Sequence, residues 1–318
     1  KATHVVIATD SEREGELIGR EILDHANYKG SVQRYWSSAS SPAAVKAALQ
    51  NLQPGASTLG LYHAAVGRQE ADWLIGMNLT RLMTVAKGMA KTVISVGRVQ
   101  TPTLALLVNR DREISRFQSR PYFEVHADIR VDSNTLLRMK VITEERIYVE
   151  TDAMILQATL ADSRPFTLTV KAELKTVPPP PVFNLVLLQA FMNRTEGWSL
   201  KKTMDVGQTL KDAGNITYHR TDSTHLEESQ KADVPPVLAA IESFTPLQCS
   251  AQLVAKAPIL RSTVFDSTRV DAHPGITPTD VPVGAHLSAD ELTLYTVIAT
   301  RYLAALAPDY QYQQSKIT

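Results

Sequence analysis

The chain has 318 residues, of which 44% are hydrophobic, and this length predicts two or more domains. Its 33 Lys and Arg residues equal its 33 Asp and Glu residues in number, so net charge does not indicate a nucleic-acid partner and any phosphate-binding surface must be a local groove. No long apolar run is present, so we expect no membrane-spanning segment. Cys249 is the single cysteine and cannot form an internal disulfide, which indicates a reducing cytoplasm.

The first predicted element is a strand over His4–Thr9, whose apolar run is typical of a strand buried on both faces. Such a strand needs neighbours and none precedes it, so we expect the sequence to begin in the middle of a domain. Carboxylates follow at Asp10, Glu12 and Glu14, where α/β sheets usually bind ligands. Their hard oxygens suit Mg²⁺. The alternative is that they are the acidic residues that a helix dipole favours in any first turn.

Apolar periodicity predicts helices over Pro42–Leu52 and Leu59–Met83. Between them, Gln53-Pro54-Gly55 interrupts the pattern and marks a domain boundary. On the second helix Arg68 and Asp72 are four residues apart, so their side chains meet on one helix face. Taken alone, this spacing indicates an intrahelical ion pair.

A further helix is predicted to start with Thr101 as its N-cap and Pro102 in the first helical position, and to run to about Ile114. The residues expected to face inward are Leu104, Leu107 and Val108. Arg98 and Gln100 stand just before this helix, where backbone N–H groups attract phosphate. The alternative is a loop arginine that caps a neighbouring element.

The composition changes after Gln118 to the period-two alternation that is typical of half-buried strands. Apolar and polar residues alternate from Phe123 to Val131 and again from Phe166 to Leu174. The prolines at 178–181 then end the sheet and form a stiff extended connection, because proline cannot donate to a β-ladder.

Beyond the prolines the pattern becomes helical again. One helix is predicted over Leu185–Asn193, and Ser199 caps a second that runs through Lys211 and ends at Gly214. Two helices followed by an extended segment resemble a helix-turn-helix with a wing.

The segment after Gly214 combines a phenol, a guanidinium and a run of hydroxyls. Tyr218 precedes Arg220 by two residues, so in an extended chain their side chains point to the same face. A free tyrosine titrates near pH ~10, so a nucleophilic tyrosine needs positive charge beside it, and a guanidinium also grips phosphate through paired hydrogen bonds. The polar residues that follow are Thr221, Asp222, Ser223 and Thr224. The alternative is a half-buried core tyrosine beside a surface arginine.

A histidine lies in the Pro- and Gly-rich segment Val270–Thr279. With an unperturbed pKa near ~6.5, His273 has the chemistry of a neutral donor or of a cation, although an isolated histidine in such a loop is more often a turn residue. An amphipathic helix is predicted over Leu287–Leu306, capped by Ser288, and a strand-like Tyr310–Tyr312 follows it.

Three of these segments resemble motifs of the type IA DNA topoisomerases, in the family's order. Ile-Thr-Tyr218-His-Arg-Thr-Asp-Ser-Thr resembles the active-site segment, and Gly97-Arg-Val-Gln-Thr-Pro-Thr resembles a DNA-binding segment whose Thr-Pro continuation is similar to the topoisomerase III branch. Val270–Thr279 resembles the segment whose histidine contacts the scissile phosphate. In addition, Asp10-Ser-Glu-Arg-Glu-Gly resembles the second acidic motif of the Toprim domain.

Some positions depart from the family pattern. The family usually has proline or methionine where His219 stands, aspartate where Glu12 stands, and other residues in place of Pro274 and Gly275. The family's first Toprim strand carries a glutamate and a lysine that have no match upstream here, so we expect this chain to lack part of its catalytic centre.

The resemblance implies that Tyr218 attacks a backbone phosphate of single-stranded DNA and leaves a 5′-phosphotyrosine and a free 3′-hydroxyl. It implies that Arg220 and His273 stabilise the charge on the phosphate, and that the three carboxylates after the first strand hold Mg²⁺. The implied DNA-binding residues are Arg68, Asp72, Arg98, Gln100, Thr221 and Asp222, with Trp73 or Phe191 as stacking surfaces. The absence of a Gly-x-x-x-x-Gly-Lys phosphate loop agrees with the family's independence of ATP.

The implied fold is multidomain and combines α/β and α+β parts of the family's ring. We expect a partial, Rossmann-like Toprim metal domain over 1–55 and a helical DNA-binding domain over 56–118. A β-rich arch domain is expected over 119–181 and 300–318. The tyrosine is expected in a helix-turn-helix or winged-helix-like domain over 182–299.

The implied substrates are single-stranded DNA and negatively supercoiled or catenated duplex DNA, which a cytoplasmic monomer relaxes or decatenates, with a helicase as a candidate partner. Two alternatives stay open. A Toprim primase or nuclease would keep the acidic cluster but would not use Tyr218 and Arg220. A non-catalytic single-stranded DNA-binding fragment would keep only the basic groove.

Overall fold

The computed structural model describes residues 2–37, 42–87, 92–130, 133–161, 169–284 and 287–317. The chain divides into two compact units. The first consists of Lys1–Ala71 with Leu174–Gln314, and the second of Asp72–Glu173 with Ser315–Thr318. None of the helices in the described ranges has both the length and the apolar character needed to span a membrane.

The first unit opens with a small mixed sheet. Strand β1 (His4–Ile7) pairs in parallel with β2 (Ser31–Arg34), and β2 pairs antiparallel with the short β3 (Gln53–Pro54). Helix α1 (Arg13–His25) makes the crossover between β1 and β2. The predicted strand is therefore confirmed but is shorter, since Thr9 lies in the turn before α1. The prediction that it is buried on both faces is wrong for the described chain, because only Ile7 is buried.

Helix α1 approaches the sheet through small residues. Its buried positions are Gly15, Glu16 and Gly19, whereas the apolar Ile18 and Ile22 are 52% and 61% exposed. A Cβ atom at Gly19 would lie 2.4 Å from Ile7 Cγ2, so glycine is what lets the helix pack this closely on β1.

Three helices follow along the chain. Helices α2 (Pro42–Gln50) and α3 (Leu59–Ala86) confirm two predictions. Helix α4 (Gln100–Ser115) starts two residues earlier than predicted, with Val99 as its N-cap residue, so the prediction that Thr101 caps it is wrong. The Thr101 hydroxyl instead accepts a hydrogen bond from the backbone N–H of Gly97 at 3.0 Å.

The prediction that one face of α4 is turned inward is also wrong for the described chain. Leu104, Leu107 and Val108 are 60%, 62% and 37% exposed, and no residue of α4 is buried against the described ranges. Apolar spacing identifies the apolar face of a helix, but it does not identify what packs against that face.

The remaining strands form two ribbons. Strands β4 (His126–Arg130) and β5 (Leu136–Lys140) pair antiparallel, which confirms the alternation predicted there. After helix α5 (Glu150–Ala161), β6 (Val170–Val177) pairs with the C-terminal β7 (Tyr310–Ile317). β6 ends directly before the prolines at 178–181, as predicted. Position 131 and positions 166–168 of the predicted strands lie outside the described residues.

The main core of the first unit lies among five helices. They are α6 (Leu185–Glu196), α7 (Leu200–Asp212), α8 (Val234–Glu242), α9 (Gln248–Ala255) and α10 (Ala289–Ala305). Their fully buried apolar side chains include Leu188, Met192, Leu210, Ile241, Leu294 and Ile298.

The ends of these helices are fixed by local hydrogen bonds. Ser199 accepts from the N–H of Lys202 at the start of α7, and Ser288 forms a capping box with Glu291 at the start of α10, so both predicted caps are confirmed. Gly214, with φ +79, turns the chain out of α7 into the segment that carries Tyr218.

Candidate active site

Two irregular segments lie side by side in the first unit. We call Gly214–Leu226 the tyrosine loop and Val270–Thr279 the histidine loop. The tyrosine loop is not a strand, but it is tied to the histidine loop by a hydrogen bond from Thr217 N to Thr277 O at 2.9 Å. A second backbone bond runs from Thr279 N to Asn215 O at 3.1 Å. These two bonds satisfy backbone groups and hold the two loops in a fixed relation.

The two loops approach each other closely at Gly275. Its N–H donates to the carbonyl of His225 at 2.8 Å. A Cβ atom here would lie 2.4 Å from Val182 Cγ2 and 3.3 Å from the carbonyl oxygen of Ser223. The glycine that departs from the family pattern is therefore required by the packing in this chain.

Three predicted site residues from distant parts of the sequence lie together. The rings of Tyr218 and His273 are 4.5 Å apart between centroids and inclined at 53°. Nε2 of His273 lies 3.7 Å from Oδ2 of Asp10, which follows β1. All three residues line one cleft of about 810 Å³. The structure thus brings a phenol, an imidazole and a carboxylate to one opening that is large enough for a nucleotide.

Arg220 and its neighbour have different environments. Arg220 is exposed, and its Nη2 donates to Oε1 of Gln208 on α7 at 3.3 Å. His219 is fully buried beside Gly207, where an added Cβ atom would lie 3.2 Å from the imidazole. Burial and then the charge of Arg220 lower the pKa of His219, so this imidazole is held neutral between the tyrosine and the arginine.

Thr221 and Asp222 connect the tyrosine loop to its surroundings. Thr221 is buried, and its hydroxyl donates to the carbonyl of His273 at 2.8 Å. Asp222 is exposed, and its backbone carbonyl accepts from Nδ2 of Asn184 at 3.0 Å. Thr221 therefore positions the two loops, whereas the Asp222 carboxylate faces solvent.

Arg34, which the sequence analysis did not identify, fixes the turn between β1 and α1 that carries Asp10. Arg34 is fully buried at the end of β2. Its guanidinium donates to the Glu16 carboxylate at 2.8 Å and to the carbonyls of Ile7 at 3.0 Å, Thr9 at 2.8 Å and Asp10 at 2.5 Å. One side chain thereby fixes the turn that presents Asp10 to the cleft.

Glu16 completes this buried cluster. Its other oxygen accepts from Arg20 at 2.7 Å and from the hydroxyl of Thr58 at 2.8 Å. The available sequence signal was the position of Glu16 on the same helical face as Gly15 and Gly19, since small residues at that spacing mark the face that packs closely. A carboxylate on such a face requires a buried cation.

The three predicted metal ligands do not form a three-carboxylate centre. In the ranges that the structure describes, no three His, Cys, Asp or Glu side chains converge as metal ligands. The Glu14 carboxylate is paired with Arg68, whereas Asp10 and Glu12 are exposed. Mg²⁺ commonly takes only one or two carboxylates and completes its shell with water and substrate phosphate, so Asp10 and Glu12 fit this donor chemistry.

The other predicted DNA-binding residues lie in the second unit. Nε of Arg98 donates to Oδ1 of Asp72 at 2.9 Å. Gln100, the first residue of α4, donates from Nε2 to the hydroxyl of Ser95 at 2.8 Å. The Arg98 and Asp72 side chains are 54% and 40% exposed, so both are open to solvent beside the start of α4.

Comparison with known proteins points to one family. Residues 57–318 match the family model described as DNA topoisomerase. The chain is 36% identical to DNA topoisomerase 3 of Shouchella clausii, over 96% of this chain and 42% of that protein. It is 34% identical to DNA topoisomerase 3 of Bacillus subtilis, over 98% of this chain and 43% of that protein. The chain thus spans less than half the length of these curated relatives.

A solved structure supports the same relationship. The structure of full-length topoisomerase I from Thermotoga maritima superposes with a TM-score of 0.68 at 26% identity, covering 98% of this chain and 50% of that one. The likeness therefore extends over both described units.

Proposed function

Because the chain belongs to the type IA DNA topoisomerase family, we propose that Tyr218 cleaves one strand of DNA and stays covalently attached to it. The observation that carries this proposal is the meeting of Tyr218, His273 and Asp10 at one cleft. The alternative, a tyrosine that only packs in the core, does not explain why an imidazole, a carboxylate and an open cleft lie beside it.

The proposed reaction is a transesterification. The phenolic oxygen of Tyr218 forms a bond to the phosphorus and its proton is lost, while the bond from phosphorus to the 3′ oxygen breaks and that oxygen takes up a proton. The products are a 5′-phosphotyrosine and a free 3′-hydroxyl. The number of phosphodiester bonds is unchanged, so resealing after strand passage needs no ATP.

Each neighbour of Tyr218 has a role that follows from its position. His273 lies against the phenol ring and donates to a phosphate oxygen beside it. Arg220 is exposed and held by one bond of 3.3 Å to Gln208, so its guanidinium is able to turn to the phosphate. Thr221 fixes the relation of the two loops through its bond to the His273 carbonyl.

We propose Mg²⁺ as the metal of this site, held by Asp10 and Glu12 together with the DNA phosphate. When bound, the ion offsets phosphate charge and orients the strand. Arg34 keeps the Asp10 turn in place through its hydrogen bonds to the backbone. Glu14 is engaged by Arg68, which positions the first turn of α1.

The wider account extends the family's chemistry to this chain. We propose single-stranded DNA as the direct ligand and supercoiled or catenated DNA as the substrate. Arg68, Arg98, Gln100, Asp72 and Asp222 are proposed to line the strand path. The Toprim, helical, arch and winged-helix-like domains and their boundaries stay predictions, as do the cytoplasmic location, the monomeric state and the helicase partner.

The test uses the full-length protein and one oligonucleotide labelled in two ways. With Mg²⁺, a 3′-labelled strand should yield a labelled protein band in a denaturing gel, because the tyrosine keeps the 5′ phosphate. A 5′-labelled strand should yield only a shorter free fragment. Tyr218→Phe should bind the strand equally well and form no adduct. A Toprim nuclease would cut without an adduct, and a passive binder would do neither, so either outcome would refute the proposal.

A further inference from the structure

Two arginines outside the cleft share an aromatic support in the first unit. Arg301 on α10 stacks on Phe183, with Cζ 4.1 Å from the ring centroid, and also lies 5.8 Å from the ring of Phe191. Arg194 on α6 lies 5.7 Å from the same Phe191 ring. The two rings are 5.5 Å apart, so one pair of phenylalanines holds both guanidiniums on neighbouring helices.

Neither arginine is neutralised. Within the described ranges, Arg194 and Arg301 take part in no ion pair and no hydrogen bond. The residues three and four positions away along the chain from each arginine carry no charge either. They are Ala190, Phe191, Gly197 and Trp198 around Arg194, and Val297, Ile298, Ala304 and Ala305 around Arg301.

Arg301 is half-buried, whereas Arg194 is exposed. Two other arginines of the same unit that are shielded from solvent have acidic partners. Arg34 is paired with Glu16, and Arg261 is paired with Asp309 at 2.6 Å. In contrast, burial and then the charge of Arg194 lower the pKa of Arg301. Like charges held together without a carboxylate are stabilised when an anion binds between them.

The pair is connected to the candidate active site through the start of α6. The N–H of Ile276 in the histidine loop donates to the carbonyl of Phe183 at 2.7 Å. The N–H of Leu185 donates to the carbonyl of Thr221 in the tyrosine loop at 3.0 Å. Since a helix rises by ~1.5 Å per residue, Arg194 stands roughly 14 Å along α6 from these contacts.

We propose that Arg194 and Arg301 form a second phosphate-binding site that holds the sugar-phosphate backbone of the DNA strand away from the point of cleavage. This proposal rests on the proposed function, because it assigns the same strand to a further part of the surface. Phe191 then acts as the support of the two guanidiniums rather than as a stacking surface for bases. The site grips any sequence, since a phosphate carries no base identity.

The test measures binding without cleavage. Tyr218→Phe is the background, and fluorescence anisotropy follows its binding to labelled oligodeoxythymidine and oligodeoxyadenosine over a range of salt concentrations. The double variant Arg194→Gln, Arg301→Gln removes two phosphate contacts, so the slope of log affinity against log salt should flatten by about 1.4. The loss should be equal for both oligonucleotides.

Matched variants separate this site from a general effect of charge. Lys201→Gln with Lys231→Gln removes two charges that are already paired with Asp205 and Glu228, and it should leave the slope unchanged. The double variant Arg194→Lys, Arg301→Lys keeps both positive charges, so it should keep most of the wild-type slope. Arg194 is exposed, and Arg194→Gln alone should flatten the slope by about 0.7. This single variant leaves the packing of Arg301 on Phe183 undisturbed.

Three outcomes would overturn the proposal. The first is a wild-type salt slope in the double glutamine variant. The second is an equal flattening of the slope in the paired-lysine control. The third is a loss of affinity for only one of the two oligonucleotides. Failure of the Tyr218→Phe background itself to bind DNA would be different, since it would contradict the proposed function and the second site together.

Discussion

The ring of Tyr218 lies 4.5 Å from the ring of His273, and the imidazole of His273 lies 3.7 Å from the carboxylate of Asp10. The three residues come from three separate segments, so their meeting is a product of the fold. Backbone hydrogen bonds between the tyrosine and histidine loops hold Tyr218 and His273 together, and Arg34 holds the turn of Asp10.

The first prediction concerns His273. His273→Ala removes a donor beside the reacting phosphate, so the cleavage rate should fall by about 10²–10³ while binding of single-stranded DNA changes little. Single-turnover formation of the covalent adduct measures the rate. His225→Ala is the control, because that ring lies 3.4 Å from Arg269 and not against Tyr218, and it should cleave at close to the wild-type rate. Equal rates of adduct formation in His273→Ala and His225→Ala would show that His273 takes no part in cleavage.

A second prediction compares two glycines. In Gly275→Ala the new methyl group would meet Val182 at 2.4 Å, so the free energy of unfolding should fall by about 1–3 kcal/mol and adduct formation should slow. In Gly67→Ala the methyl group meets nothing within 4 Å on the exposed face of α3, and stability should rise by about 1 kcal/mol. Urea unfolding measures both changes. Equal effects of the two substitutions would contradict the tight packing of the loops.

The buried ion pair gives a third prediction. Arg34→Met leaves one oxygen of the buried Glu16 carboxylate without its guanidinium partner and frees four backbone carbonyls, so unfolding should become easier by about 3–5 kcal/mol. Lys231→Met breaks a partly exposed surface pair with Glu228 and should cost about 0–1 kcal/mol. Denaturant titration distinguishes the two. A small effect of Arg34→Met would show that the Asp10 turn is held by other contacts.

A fourth prediction concerns pH. Burial lowers the pKa of His219, so the unfolded chain binds the proton more readily than the folded one. The stability linked to His219 is complete above its ordinary pKa of ~6.5 and is lost as the pH falls through the lowered pKa of the folded state. His219→Met should therefore lose less stability between pH 7 and pH 5 than the wild type does.

A second histidine contributes to the same pH dependence. Burial and the charge of Arg269 also lower the pKa of His225. The His219→Met variant should therefore still lose some stability between pH 7 and pH 5, because His225 is unchanged. Neither ring nitrogen of His219 has a hydrogen-bond partner in the described chain, so His219→Met should also be more stable than the wild type at pH 7. Urea titrations at fixed pH values measure both effects, and identical pH profiles would refute the assignment.

Candidate site residues could be named from the sequence where they lie in short continuous motifs. Tyr218, His273 and Asp10 were each recognised from their own segment, and the structure brings them to one cleft. The order of helices and strands was also predictable, since caps such as Ser199 and Ser288 act over a few residues. Local signals of this kind do not depend on the rest of the fold.

The residues that were missed act over long distances. Arg34 and Gln208 carry no motif, and their roles depend on which carbonyl or guanidinium the fold places beside them. The same limit explains α4, whose apolar face was visible in the sequence although nothing in the sequence showed what would pack against it.

Peptide mapping of the trapped protein-DNA adduct tests the central claim most directly. The adduct is formed with single-stranded DNA and Mg²⁺, digested with trypsin and nuclease, and sequenced by mass spectrometry. We predict a single modified peptide with a nucleotide attached through its 5′ phosphate to the hydroxyl of Tyr218. A nucleotide on another residue, a linkage through the 3′ phosphate, or DNA cut without any modified peptide would contradict the account.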